Sequence, residues 1–153
     1  WLDAYRHDLT ALIELVPGAD VLVVGAPLPR ASVDNDEPTK PELINEVLVE
    51  VSAATGSTYV DAGAAVLDDK GEYADVLPCL FFETCAGLET GTELGGNPVR
   101  SWDGVHFCPT VTQAINGVVD PCPVYSSGAM RYSAAILEAI DAAIARLDTV
   151  GPS

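Results

Sequence analysis

Leu2, Tyr5, Leu9, Leu12, Ile13 and Val16 recur at steps of three and four, which predicts a helix over residues 3–16 with one apolar face. Pro17-Gly18 ends it. The next apolar stretch has a different character. Asp20 to Ala26 contains Val21-Leu22-Val23-Val24-Gly25-Ala26, a continuous run rich in β-branched residues, as expected of a parallel strand covered on both faces. Pro27, Pro29 and the polar run from Ser32 to Pro38 read as a loop. Thr39 and Glu42 then have the spacing of a capping box. Behind them Leu43, Ile44, Val47, Leu48, Val51 and Ala54 line one side of a second helix, and Gly56 supplies its stop. Thr58-Tyr59-Val60-Asp61 is a second strand. The order helix, strand, helix, strand predicts βαβ units and an α/β layered domain.

From Ala62 to about Ser126 the periodicity dissolves, with room for a short turn of helix between Ala62 and Ala74. Gly87 to Pro98 is a long Gly-, Thr- and Glu-rich loop. Helical order returns after Ser126 or Ser127, either of which suits an N-cap. Ser133, Leu137, Ile140, Ile144 and Leu147 then follow at heptad-like steps as far as Asp148. Neither a repeat nor an inter-domain linker interrupts the chain, so residues 1–153 read as part of a single domain. Two short strands do not make an independent sheet. Their apolar character demands cover on both faces and neighbours at both edges. The expectation is that further polypeptide, an upstream segment or a companion chain, completes the sheet. The opening at Trp1, straight into an amphipathic pattern without initiator Met or signal peptide, reads as a cut from something longer.

Composition narrows the functional classes. At 153 residues the chain is one domain's worth, and 7 Lys+Arg against 23 Asp+Glu give a net charge of −16. That balance argues against nucleic acid and anionic membrane surfaces, which need clustered cations. It is the balance of a strongly solvated surface. No apolar run approaches the roughly 18–20 residues of a membrane span. The four cysteines are spaced Cys79-x5-Cys85 and Cys108-x13-Cys122, without a C-x-x-C pair of the kind found in zinc ribbons and redox motifs. Three pairings are formally possible; two local bridges, Cys79–Cys85 and Cys108–Cys122, are the preferred reading and imply an oxidising, extracytoplasmic location, the alternative being four buried thiols in a cytosolic protein. Glu83, Glu89 and Glu93 read as a solvated loop face, with no EF-hand spacing to hold calcium.

Of the two histidines, His7 sits among charged neighbours on the first helix and reads as a surface residue. His106 lies in Arg100-Ser101-Trp102-Asp103-Gly104-Val105-His106-Phe107-Cys108, between the last strand and the last helix. A tight turn at Gly104 lets the Asp103 carboxylate accept from one ring nitrogen of His106. The other nitrogen is then free to take a proton from a hydroxyl nucleophile. Spacing alone also suits a plain surface Asp-His turn. Trp102 and Phe107 flank the turn, either packing it onto the core or walling a substrate pocket. Arg100 suits either a carboxylate partner or a polar substrate.

Asp-Gly-Val-His followed by an aromatic, just before a terminal helix in an α/β chain, resembles the last motif block of the SGNH/GDSL hydrolase family. Tyr5 to Val24 looks like the helix and strand preceding the late loops of that fold, and Val60-Asp61 like the strand leading toward the catalytic block. Val99 to Phe107 and Gly128-Ala129-Met130-Arg131-Tyr132 look like the version in secreted actinobacterial members. Similar domains end membrane acyltransferases that modify cell-envelope sugars. The resemblance covers most of the chain, but only Asp103-Gly104-Val105-His106 is sharply diagnostic. It implies a three-layer α/β/α fold around a parallel sheet, of which this chain is the C-terminal half. It implies a serine ester hydrolase or O-acyltransferase acting on an acyl ester of lipid or envelope carbohydrate, with His106 as general base, Asp103 as its orienter, and no metal or organic cofactor. A Cys108–Cys122 bridge would brace the catalytic loop.

The departures from the family pattern matter equally. Its nucleophile lies in a Gly-Asp-Ser block after the first strand, and no such block occurs here. Its oxyanion-binding Gly-x-Asn-Asp is imitated only by Asp34-Asn35-Asp36, which lacks the glycine and follows the wrong strand. Ser57 enters a strand rather than leaving one, Ser126 and Ser127 suit helix caps, and Ser101 belongs to the Asp103 loop. The serine is therefore expected from a segment outside these residues. The rival expectation is a non-catalytic SGNH-like module serving a cell-envelope assembly.

Overall fold

The computed structural model describes residues 1–30, 39–83, 85, 96–101, 103–107 and 126–150. Helix α1 (Leu2–Glu14) packs against helix α2 (Lys40–Thr55), and Arg6 joins them by donating to Glu50 at 2.7 Å. The reciprocal capping box forms on α2: Glu42 N–H donates to Thr39 Oγ1 and Thr39 N–H to Glu42 Oε2. Gly56 ends the helix with φ +74°, a left-handed turn that a side chain would resist. Val47, Leu48, Val51 and Ser52 form the buried stripe of α2.

Strands β1 (Leu22–Val24) and β2 (Thr58–Val60) pair in parallel, Leu22 with Thr58 and Val24 with Val60. The ladder extends by Thr58 N–H to Val21 O and Gly25 N–H to Val60 O, both 2.9 Å. Val21 and Gly25 therefore face β2. By strand alternation Leu22, Val24 and Ala26 turn their backbone groups to the opposite edge. There the Asn45 carboxamide acts as a one-residue strand. Its Oδ1 accepts from Ala26 N–H at 2.7 Å and its Nδ2 donates to Ala26 O at 2.8 Å. Asn45→Ala leaves both groups unpaired and should destabilise the protein by about 2 kcal/mol, measured by urea unfolding. Leu22 and Val24 have no strand partner on that edge among the described residues.

Beyond β2 comes a 3-10 turn, Ala62–Val66, started by the Asp61 carboxylate accepting from Ala64 N–H. The expected short turn of helix is thus present. Two strands not expected from the sequence follow, β3 (Val76–Leu77) and β4 (Asn97–Pro98), paired antiparallel. At two residues each they are too short to display alternation. Helix α3 (Ser127–Val150) packs on the 3-10 turn and touches both β1 and β2. Ser126 caps it, its Oγ accepting from Ala129 N–H at 3.3 Å.

The core gathers Val23 and Val60 from the parallel strands, Val47, Leu48 and Val51 from α2, Ala62 and Val66 from the 3-10 turn, and Leu77, Val99 and Ala143. The fold is mixed α/β with a short parallel sheet. Leu137, Ile140, Ile144 and Leu147, which the heptad-like spacing aligns, do share a face of α3, yet all four are exposed. Among the described residues no helix is long and apolar enough to cross a membrane.

Candidate catalytic site

After β4 the chain turns through buried Val99 and Arg100 into a loop that closes on itself. Ser101 N–H donates to His106 O at 2.7 Å and Gly104 N–H to Ser101 O at 3.0 Å. Arg30 N–H donates to Gly104 O at 2.9 Å, which clamps the loop to the segment following β1. Gly104 has φ +71°, and a Cβ there would lie 2.6 Å from Arg30 Cβ. Gly104→Ala therefore meets both a disfavoured backbone region and a close contact. A loss of about 2 kcal/mol in denaturant unfolding is expected, with the clamp to Arg30 loosened.

The turn brings Asp103 and His106 together as their spacing suggested. His106 Nδ1 and Asp103 Oδ2 are 2.7 Å apart. The other carboxylate oxygen, Oδ1, accepts from Ser101 Oγ, from Val105 N–H at 2.9 Å and from His106 N–H at 3.1 Å. Hydrogen bonds from Ser101 and His106 hold the Asp103 carboxyl well below the usual carboxylate range. It is an anion at neutral pH and acts only as acceptor. That fixes the proton of the neutral imidazole on Nδ1 and leaves the Nε2 lone pair open. The ring is 75% exposed, and Nε2 makes no hydrogen bond among the described residues.

Phe107 packs the loop inward. Its ring lies 5.4 Å from that of Tyr132 and its carbonyl accepts from Ser126 Oγ at 2.5 Å; Tyr132 Oη donates to Gly25 O at 2.8 Å. Arg100 is 3% exposed beneath the loop and, among the described residues, makes no direct ion pair, the first of the two roles its sequence context allowed; the Asp75 carboxylate attracts it only at longer range. Trp102, Cys108 and Cys122 lie outside the described residues, as do Glu89, Glu93 and Asp34-Asn35-Asp36. Cys79 and Cys85 are disulfide-bonded, with Cα atoms 5.7 Å apart, as the preferred pairing had it. His7 is on the surface.

Glu83 overturns an expectation. It is no solvated loop residue: its side chain is fully buried and takes Arg131, Ser127 Oγ and Leu80 N–H as donors. No periodicity surrounds it to mark it as an inward residue. Ser101 as a donor to Asp103, and Arg30 as the clamp, also escaped the sequence. The hydroxyl two residues before the acid was a signal for the first; the second depends on a contact between distant segments.

Five of the described serines make other bonds, and Ser133 is exposed on α3. Ser52 donates to Leu48 O, Ser57 shares a hydrogen bond with Thr55, Ser101 donates to Asp103, Ser126 to Phe107 O and Ser127 to Glu83. None of them meets His106 Nε2. A cleft of about 630 Å³ lies elsewhere, over α2 and the C-terminal ends of β1 and β2, lined by Asn45, Glu46, Tyr59 and Asp61 among others. Among the described residues no group of three or more His, Cys, Asp or Glu is arranged to hold a metal ion. No protein-family model matches the chain, and comparison with curated proteins and with solved structures gave no match.

Proposed function

We propose that this chain supplies the acid–base pair of an SGNH-type serine ester hydrolase or O-acyltransferase, with the nucleophilic serine brought by polypeptide outside these residues. One observation carries the reading: Asp103 engages Nδ1 of His106 at 2.7 Å while Nε2 is open. In the reaction Nε2 takes the serine proton as Oγ attacks the ester carbonyl. Asp103 stabilises the imidazolium that forms. The imidazolium returns the proton to the leaving alkoxide, leaving an acyl-serine. Nε2 then deprotonates water or a sugar hydroxyl, which attacks the acyl-serine, and the proton goes back to serine Oγ.

The uncovered edge at Leu22 and Val24 and the exposed apolar face of α3 support the companion segment. Such a segment would widen the sheet into the three-layer α/β/α arrangement of the family. The Cys79–Cys85 bridge is compatible with an extracytoplasmic setting, and an acyl ester of lipid or envelope carbohydrate is the proposed substrate class. A second reading, a non-catalytic module of an envelope assembly, is favoured by the serine bonds described above, none of which reaches Nε2. Treating the complete protein with a fluorophosphonate separates the two. The catalytic reading expects covalent labelling that His106→Ala abolishes; an intact protein that takes no label supports the binding module.

A further inference from the structure

Each of the other four arginines meets an acid: Arg6 with Asp3 and Glu50, Arg30 with Asp75, Arg131 with Glu83 and Arg146 with Asp20. Arg100 is the exception among the described residues, in a chain with 23 acidic side chains. It is also one of the most buried polar residues, at 3% exposure, and its Nε has no hydrogen-bond partner. A buried cation that no carboxylate touches directly is costly, so its contacts must compensate in another way.

The direct contacts are all with neutral groups. Nη1 donates to Val99 O at 3.2 Å and Nη2 to Leu28 O at 3.3 Å. The guanidinium carbon stands 4.8 Å from the centre of the Phe107 ring and 5.8 Å from that of Tyr73. Both distances suit cation–π attraction, which is strongest where water is excluded. The Asp75 carboxylate is contacted directly by Arg30 and by Tyr73 Oη, each at 2.6 Å, and attracts Arg100 only at longer range. These contacts bracket the catalytic loop. Val99 precedes it, Phe107 follows His106, Leu28 belongs to the segment that clamps Gly104, and Tyr73 Oη lies 3.2 Å from where a Gly104 Cβ would stand.

We propose that Arg100 is a positioning residue, a cation whose direct contacts are two carbonyls and two rings and which holds the Ser101–His106 loop from below, and this rests on the catalytic reading of the Asp103–His106 pair. The clasp has a second consequence. A cation free to move at position 100 could reach Asp103, three residues away, and compete with His106 for the carboxylate. Held by neutral groups, Arg100 leaves Oδ2 to the imidazole. A lysine keeps the charge but lacks the planar head that stacks and donates in two directions.

The test compares Arg100→Lys and Arg100→Met with Val47→Ala, a core truncation in α2 far along the chain from the loop, all in the complete protein. Hydrogen exchange is read at the Ser101, Val105 and His106 amides, whose acceptors lie within the loop. Both Arg100 variants should lose at least tenfold protection there relative to Val47→Ala at matched global stability, and the fluorophosphonate labelling rate should fall at least tenfold. Phe107→Leu, which removes one ring of the clasp and retains apolar bulk, should give a smaller loss at the same amides and covers the case in which the Arg100 variants do not fold. Loop protection equal to that of Val47→Ala would overturn the proposal. If the wild-type protein takes no label, the catalytic reading fails, while the amide comparison still decides whether Arg100 holds the loop.

Discussion

Asp103→Asn should lower ester turnover by the complete protein about 10⁴-fold in kcat with KM little changed. The reason lies in how the carboxylate is used. Its Oδ1 receives three donors, Ser101 Oγ and the amides of Val105 and His106, so the carbonyl oxygen of an asparagine must take that place. The NH2 group is then directed at His106 Nδ1, where Oδ2 stood at 2.7 Å. A donor facing Nδ1 drives the imidazole proton to Nε2. The loop keeps its shape, but Nε2, the proposed acceptor of the serine proton, no longer has a lone pair. Steady-state kinetics with a chromogenic acyl ester check this, and unchanged amide exchange at Val105 and His106 shows that the backbone is intact. Wild-type kcat in the asparagine variant would mean that the Asp-His pair is not the acid–base machinery.

The largest stability effect is expected at Arg131. Its guanidinium, 5% exposed, meets the Glu83 carboxylate at 2.6 Å, and Arg131→Met leaves that carboxylate buried without its counter-ion. A loss of about 4 kcal/mol is expected in urea unfolding at neutral pH. The pair also predicts an acid limb. Burial by itself raises the Glu83 pKa, but hydrogen bonds from Arg131, Ser127 and the Leu80 amide prevail and bring it down to about 2. With the folded value below the unfolded one, Glu83 contributes stability fully above about pH 4.5, and the contribution is lost as pH falls toward 2. It amounts to about 3 kcal/mol. The double variant Glu83→Gln/Arg131→Met should lack that part of the limb; an unchanged limb would remove Glu83 as its source. Through Ser127 the same network fixes the start of α3, next to Ser126 and the Phe107 carbonyl it holds.

What could be read from the chain divides along the range of the interactions. The capping box at Thr39 and the stop at Gly56 are local features, visible within a few residues, and took the expected form; the β-branched run before Ala26 gave a parallel strand, but only Val23 of Leu22–Val24 is buried. Asp103 and His106 were legible for the same reason, because a four-residue turn brings them together. Glu83 was misread because its burial depends on a residue 48 positions later. Arg100 was expected beside a carboxylate or a substrate, since nothing near it in sequence announces the Leu28 carbonyl and the Tyr73 ring. The pair β3–β4 carries only two residues per strand, too few to mark a period. On α3 the apolar spacing showed which residues share a face, while exposure depends on what covers that face.

The most direct measurement is the position of the covalent label. After reaction of the complete protein with a fluorophosphonate, digestion and mass spectrometry should place the modification on one serine outside residues 1–153, with His106→Ala leaving it unmodified. Modification of any serine within residues 1–153 would contradict the account, because the hydroxyl served by this imidazole would then belong to the present chain.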